Sequence, residues 1–178
     1  SEEVLGRIEL VSRMRERYGE EGGASIESLI AWTDAPRLLS QEVGEMFGVF
    51  LASQPAPQEP IIATAAVTAT SASDGAEVRI LLGVSAAGAE SLGTVVFGEP
   101  VENAMLADCL REIGNTLGGA FKRIALSEGT TMTLGLPWDC DPSEFNDTQQ
   151  QWLADGDGLQ IHIGMQLMRS DTQQVRAT

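Results

Sequence analysis

The sequence predicts an α+β, two-layer fold in which helices pack on a mostly antiparallel sheet. Three observations carry this. Ile61 to Thr70, rich in Ile, Val and Thr, is followed by turn chemistry at Ser71 to Gly75 and by an alternating run from Ala76 to Ser85, which together read as a hairpin. Leu159 to Met168 alternates cleanly, with Leu159, Ile161, Ile163, Met165 and Leu167 on one face and Gln160, His162, Gly164 and Gln166 on the other. Between these lies Val101 to about Glu128, the strongest helical pattern in the chain, with Gly129 as its stop.

The remaining elements follow in order. Glu2 to Tyr18 carries Val4, Ile8, Val11 and Met14 on one helical side, and Gly22-Gly23 ends it. Ser25 to Trp32 forms a short helix with Ser25 as cap. Pro36 opens a third helix that runs to about Ala52, with Leu38, Leu39, Val43, Met46, Phe47 and Phe50 as its apolar side. Pro55, Pro57 and Pro60 make Gln54 to Pro60 an extended connector. Ala86 to Phe97 includes a short helix ended by Gly98-Glu99-Pro100. Thr130 to Leu136 is a third strand, Pro137 to Asp147 a surface loop, and Asp155 to Gly158 a turn. The alternating strands fit a sheet with one covered and one wetter face. The organisation is therefore a helical extension at residues 1–36, a main domain at 37–170, and a frayed polar tail at 171–178.

Composition narrows the function. Lys plus Arg number 11 and Asp plus Glu number 26, a net charge of −15. Such a chain repels phosphate backbones and anionic lipids, so neither nucleic acid nor membrane is an expected partner. Two cysteines, Cys109 and Cys140, are too few for a disulfide framework or a structural zinc site. With reduced thiols, no apolar run of membrane-spanning length and an acidic, helical start, the expected compartment is the cytoplasm.

The long helix carries the candidate chemistry. At roughly 100° per residue, Asp108, Glu112, Asn115 and Gly119 fall within about 60° of one another. Leu106, Leu110, Ile113, Leu117, Phe121 and Ile124 lie on the opposite, core-facing side. Lys122 sits at the margin of the polar stripe and Arg111 a little farther round. Asn115 is a weak helix former. Gly114, Gly118 and Gly119 each cost ~0.8–1 kcal/mol relative to Ala. Glycine beside an exposed acid and amide fits the close approach of another molecule. The competing reading is a merely solvated face, with Gly119 packed against a neighbouring helix.

The run Asp108-Cys109-Leu110-Arg111-Glu112-Ile113-Gly114-Asn115-Thr116-Leu117-Gly118-Gly119 resembles the signature of the CheC/CheX/FliY chemotaxis phosphatases: an acid or Ser, three residues, Glu, two residues, Asn, then a small residue a turn later. The order of elements from about Leu38 to Met168 is similar to that of CheX. This resemblance implies a phosphatase that removes the phosphoryl group from the aspartate of a CheY-like response regulator. Asn115 would hold the attacking water and Glu112 would pair with a regulator lysine. Asp108 matches the first motif position. Asp108, Gly119, Arg111 and Lys122 would contact the partner. The chain itself would bind no metal or other cofactor, because the regulator supplies Mg²⁺. CheC-type members carry two copies of the pattern. Here Gln41-Glu42-Val43-Gly44-Glu45 places Glu45 where the second Asn would stand, which favours the CheX-like branch. The alternative is a non-catalytic CheX-like adaptor in two-component signalling. A homodimer joined through the Gly118-Gly119 face is a third candidate.

Other constellations are weaker. Asp139, Asp141, Ser143 and Asp147 begin like a calcium loop, but Glu144 and Gln150 occupy the positions that need Gly and Glu. His162, the only histidine, reads as a surface-facing strand residue without a second triad member. Trp138 and Phe145 read as exposed or partly buried loop residues, and Met105, Met132, Met165 and Met168 as core.

Overall fold

A computed structural model describes residues 25–30 and 32–168 of the chain. The expected helix at Glu2 to Tyr18 and the polar tail lie outside these residues. Helix α1 (Ile26–Ile30) starts at Ser25, whose hydroxyl accepts the Ser28 amide at 3.2 Å. Its Ile26, Leu29 and Ile30 belong to the main core, so this part of the extension packs on the same body as the rest. Helix α2 (Ala35–Phe47) has Pro36 in its first turn and ends earlier than its apolar pattern implied. Gly48 adopts φ 68°, and the amides of Gly48 and Val49 reach back to the carbonyls of Glu45 and Gly44. Leu39 and Val43 are buried, whereas Met46 and Phe50 are exposed.

Strand β1 (Ala52–Pro55) takes up the start of the expected connector. Strands β2 (Ile61–Ser71) and β3 (Glu77–Ser85) form the expected hairpin, with Ala65 opposite Leu82 and Val67 opposite Ile80. Helix α3 (Ala86–Phe97) fills its whole segment. The Ser85 hydroxyl caps it by accepting the Gly88 amide, and Gly98 ends it at φ 81°. Helix α4 (Asn103–Ser127) spans 25 residues, about 38 Å at the α-helical rise. Strand β4 (Met132–Leu134) is shorter than Thr130 to Leu136. A 3-10 turn (Pro142–Asp147) leads to β5 (Gln150–Gly156), which sequence periodicity did not reveal, and then to β6 (Leu159–Met168).

The six strands form one antiparallel sheet in the order β1-β5-β6-β3-β2-β4. Its edges are the two shortest strands, which limits the length of unpaired backbone open to another chain. One sheet face carries Val78, Ile80, Leu82 and Val84 of β3 beside Ile161, Ile163 and Met165 of β6. Leu106, Leu110, Ile113, Leu117 and Phe121 of α4 pack on that face, as do Leu39 and Val43 of α2. Each such side chain contributes roughly 1.5–3 kcal/mol on leaving water. That outweighs the cost of the helix glycines. Ser40 on α2 also accepts the indole N–H of Trp152 at 3.0 Å, tying this helix to β5.

The second face corrects an expectation. It is covered, and the Pro137 to Asp147 segment that read as a surface loop is its cover. Ala66, Leu81, Cys140 and Phe145 form a second apolar cluster, with Ile61 and Trp138 packed against it. Glycines at 83 and 164 make room: a Cβ on Gly83 would meet the Phe145 ring at 3.2 Å and Ile61 at 2.7 Å, and one on Gly164 would meet Thr148 at 2.8 Å. Trp138 exchanges backbone hydrogen bonds with Ala66, Arg79 pairs with Glu144 at 3.0 Å, and the Arg79 guanidinium stacks 5.4 Å over the Trp138 ring. His162 is therefore buried, at 3% exposure, and does not face solvent as expected.

Candidate functional site

The site begins with the periodicity of α4. Because Leu106, Leu110, Ile113, Leu117 and Phe121 are held against the sheet, the helical repeat turns Asp108, Glu112 and Asn115 outward, and all three are exposed. Glu112 and Asn115 are three residues apart, so they stand one turn apart on one face. Together with Asp108, Cys109, Arg111 and Ile113 they form the floor of an open cleft of about 620 Å³. Its walls come from three helices: Met46 and Phe47 close α2, Val96 and Phe97 close α3, and Met105 opens α4, with Pro137 on the far side. Four of these wall residues are exposed, so the acid and the amide sit within a ring of apolar surface.

The charges around the pair are not equivalent. Arg111 donates to Asp108 and to Asp139, bridging α4 to the segment after β4. The hydrogen bonds, to Asp108 first and then Asp139, push its pKa above the usual arginine range. Asp108 and Arg111, expected to meet a partner, are thus paired with each other. Glu112 forms no ion pair among the described residues. Lys122 is exposed but lies outside the cleft. Cys109 is half-buried, and burial, with a smaller contribution from Glu112, pushes its thiol pKa up.

The glycines divide by face. Gly114 and Gly118 turn toward the sheet, where a Cβ would lie 3.4 Å from Leu82 and 3.3 Å from Val67 respectively. They serve the close seating of α4 on β2 and β3. Gly118 is buried, so of the Gly118-Gly119 pair only Gly119 turns to the outer surface. Gly119 points outward: a Cβ there would meet only Arg123, at 3.6 Å, an ordinary contact. Nothing inside the described chain demands glycine at 119.

The matching positions on α2 differ. Glu42 pairs with Arg123 of α4 at 3.6 Å, and Glu45 is exposed. The calcium-like acids have local tasks. Asp139 holds Arg111. Asp141 caps the 3-10 turn through the Ser143 amide, and those hydrogen bonds hold its carboxyl pKa below the usual range. Among the described residues no cluster of three or more His, Cys, Asp or Glu could hold a metal ion. A second cleft, of about 790 Å³, lies over the other sheet face between Pro55–Ile61 and the 3-10 turn. His162 lies at its base, with Nε2 lacking a hydrogen-bond partner among the described residues and its pKa pushed down by burial, partly opposed by Glu59.

The wall residues of the α4 cleft escaped sequence reading. Met46 and Met105 read as core, although both are exposed. The signal available was the unbroken Val95-Val96-Phe97 run before Gly98, which exceeds what one buried helix side requires.

Helices packed on one face of an antiparallel sheet of this order make an α+β architecture of the CheC-like kind. Solved structures agree. A CheX from Borrelia burgdorferi, solved as a CheX–CheY complex with BeF₃ and Mg²⁺, matches with TM-score 0.55 and 16% identity, over 82% of this chain and 99% of that one. CheX from Vibrio vulnificus matches with TM-score 0.54 and 12% identity, over 78% and 99%. A chemotactic CheC-like protein from Shewanella oneidensis MR-1 matches with TM-score 0.52 and 14% identity, over 75% and 95%. The architecture of this chain is that of the CheX and CheC-like chemotaxis proteins. No protein-family model matches the chain, and no curated protein matches its sequence. Among the described residues no helix is long and apolar enough to cross a membrane.

Proposed function

We propose that this chain is a CheX-like phosphatase that acts in the cytoplasm on the phospho-aspartate of a CheY-like response regulator. The observation that carries the reading is the joint exposure of Glu112 and Asn115 at the floor of one open cleft, on a fold shared with a CheX solved together with CheY. An amide suits the task. It offers a donor and an acceptor, so it can orient a water without titrating. An acyl phosphate is already reactive, and its hydrolysis depends on positioning and charge stabilisation rather than on a strong base.

In this reading the Asn115 side chain enters the regulator's site and holds water in line with phosphorus. The water oxygen bonds to phosphorus as the bond to the aspartyl oxygen breaks. The products are free aspartate carboxylate and inorganic phosphate, with the water proton passing to the phosphate or solvent. Glu112, exposed and without a counter-charge among the described residues, pairs with a regulator lysine and sets the register of the two proteins. Mg²⁺ belongs to the regulator's carboxylates. Gly119 leaves room for partner backbone one turn beyond Asn115.

The test compares decay of a phosphorylated CheY-like regulator alone, with the full chain, and with Asn115→Ala. Faster decay with the wild-type chain and not with the variant supports the assignment. Binding to the regulator without any change in its phosphoryl lifetime would instead make the chain an adaptor.

A further inference from the structure

Large apolar side chains are exposed at nine places among the described residues, and four of them (Met46 at 40%, Val96 at 39%, Phe97 at 41% and Met105 at 37%) wall the same cleft as Glu112 and Asn115. Clustered exposure of this kind marks a contact surface rather than the scattered apolar residues of an ordinary exterior. The helices that supply these residues have no folding reason to present them. Gly48 and Gly98 stop α2 and α3 just past Met46 and Phe97, leaving both ends at the rim.

The floor gives the occupant a charge. Asp108, Arg111 and Asp139 neutralise one another in part, whereas Glu112 has no ion-pair partner among the described residues of a chain of net charge −15. The complement to this surface is a protein patch that presents an apolar side chain next to a cation. Met46 and Met105 suit such a contact, because an unbranched thioether adapts to the shape it meets.

We infer that the apolar cleft between the ends of α2 and α3 and the start of α4 anchors the partner protein, with Phe97 and Met46 supplying affinity while Asn115 supplies the chemistry. The inference rests on the regulator reading above and deepens it: docking and hydrolysis are assigned to different residues of one surface. A partner held at the apolar wall is oriented before its lysine reaches Glu112, so loss of the wall weakens capture and leaves the oriented complex as reactive as before.

The experiment uses the full chain and a CheY-like regulator in two forms. One is activated with beryllofluoride and Mg²⁺ for binding by calorimetry, and the other is phosphorylated for turnover. Phe97→Ser and Met46→Ser are compared with wild type and Asn115→Ala, each checked for native circular dichroism. Both wall positions are exposed, so the fold is expected to survive. Phe97→Ser should weaken binding at least tenfold and raise the half-saturating regulator concentration equally, with the plateau rate kept. Asn115→Ala should bind within twofold of wild type while its plateau rate falls. Unchanged affinity in both wall variants overturns the anchor and leaves the hydrolysis reading standing. Cleft-dependent binding by a wild-type chain that does not hydrolyse supports the anchor while removing the phosphatase. Failure of the wild-type chain to bind the regulator, or wall variants that only dissolve a self-association seen by ultracentrifugation, overturns the anchor as an assignment to that partner.

Discussion

Glu42 and Glu45 on α2 have the same spacing as Glu112 and Asn115 on α4, yet the two pairs keep different company. Glu42 is tied to Arg123 of the neighbouring helix, and the second member of that pair, Glu45, is an acid where α4 carries an amide. Glu112 has no ion-pair partner among the described residues, its second member is an amide, and both lie on the floor of a cleft. Spacing on a helix is therefore common property. What separates a candidate site from a solvated face is the missing counter-charge, the donor–acceptor amide and the apolar walls brought from other elements.

Perturbing each member sharpens or breaks this contrast. The largest effect is expected for Asn115→Ala, with regulator dephosphorylation slowed roughly 10²-fold, the scale of a misplaced reactant. Stopped-flow fluorescence of the phosphorylated regulator reads it directly. Glu112→Gln keeps the shape and removes the charge. It should raise the half-saturating concentration about tenfold, and raising salt should narrow the gap between variant and wild type. Glu42→Gln breaks an exposed ion pair, so urea unfolding should shift by less than about 1 kcal/mol and turnover should stay at the wild-type value. The smallest effect is the most diagnostic. Glu45→Asn, added to Asn115→Ala, gives α2 the acid–amide pair and should restore nothing. Recovered activity there would show that spacing alone suffices.

The working face of α4 was legible because one residue type per turn does the sorting. Six apolar positions fix which side is buried, and Asp108, Glu112 and Asn115 are left outside by geometry. The hairpin and β6 were legible for the matching reason, a period of two. Strand β5 was not. Gln150-Gln151-Trp152-Leu153-Ala154-Asp155-Gly156 holds no β-branched residue, and it is a strand because β1 and β6 pair with it on both sides. The cover on the second sheet face was hidden too. The role of Gly83 and Gly164 emerges only when Phe145, 62 positions beyond the first, lies against them. For the same reason the cleft had a readable floor and unreadable walls. Met46, Phe97 and Met105 lie on three helices, and within their own helices Met46 and Met105 looked like ordinary core residues.

The half-buried sulfur of Cys109 has a chemical consequence. A thiol whose ionisation is disfavoured by its apolar surroundings and by the carboxylate one turn away is a slow nucleophile at neutral pH. The thiolate is what attacks peroxide and alkylating reagents, so both should modify this cysteine sluggishly. The residue next to Asp108 thereby acts as a small space-filler rather than as a reactive thiol.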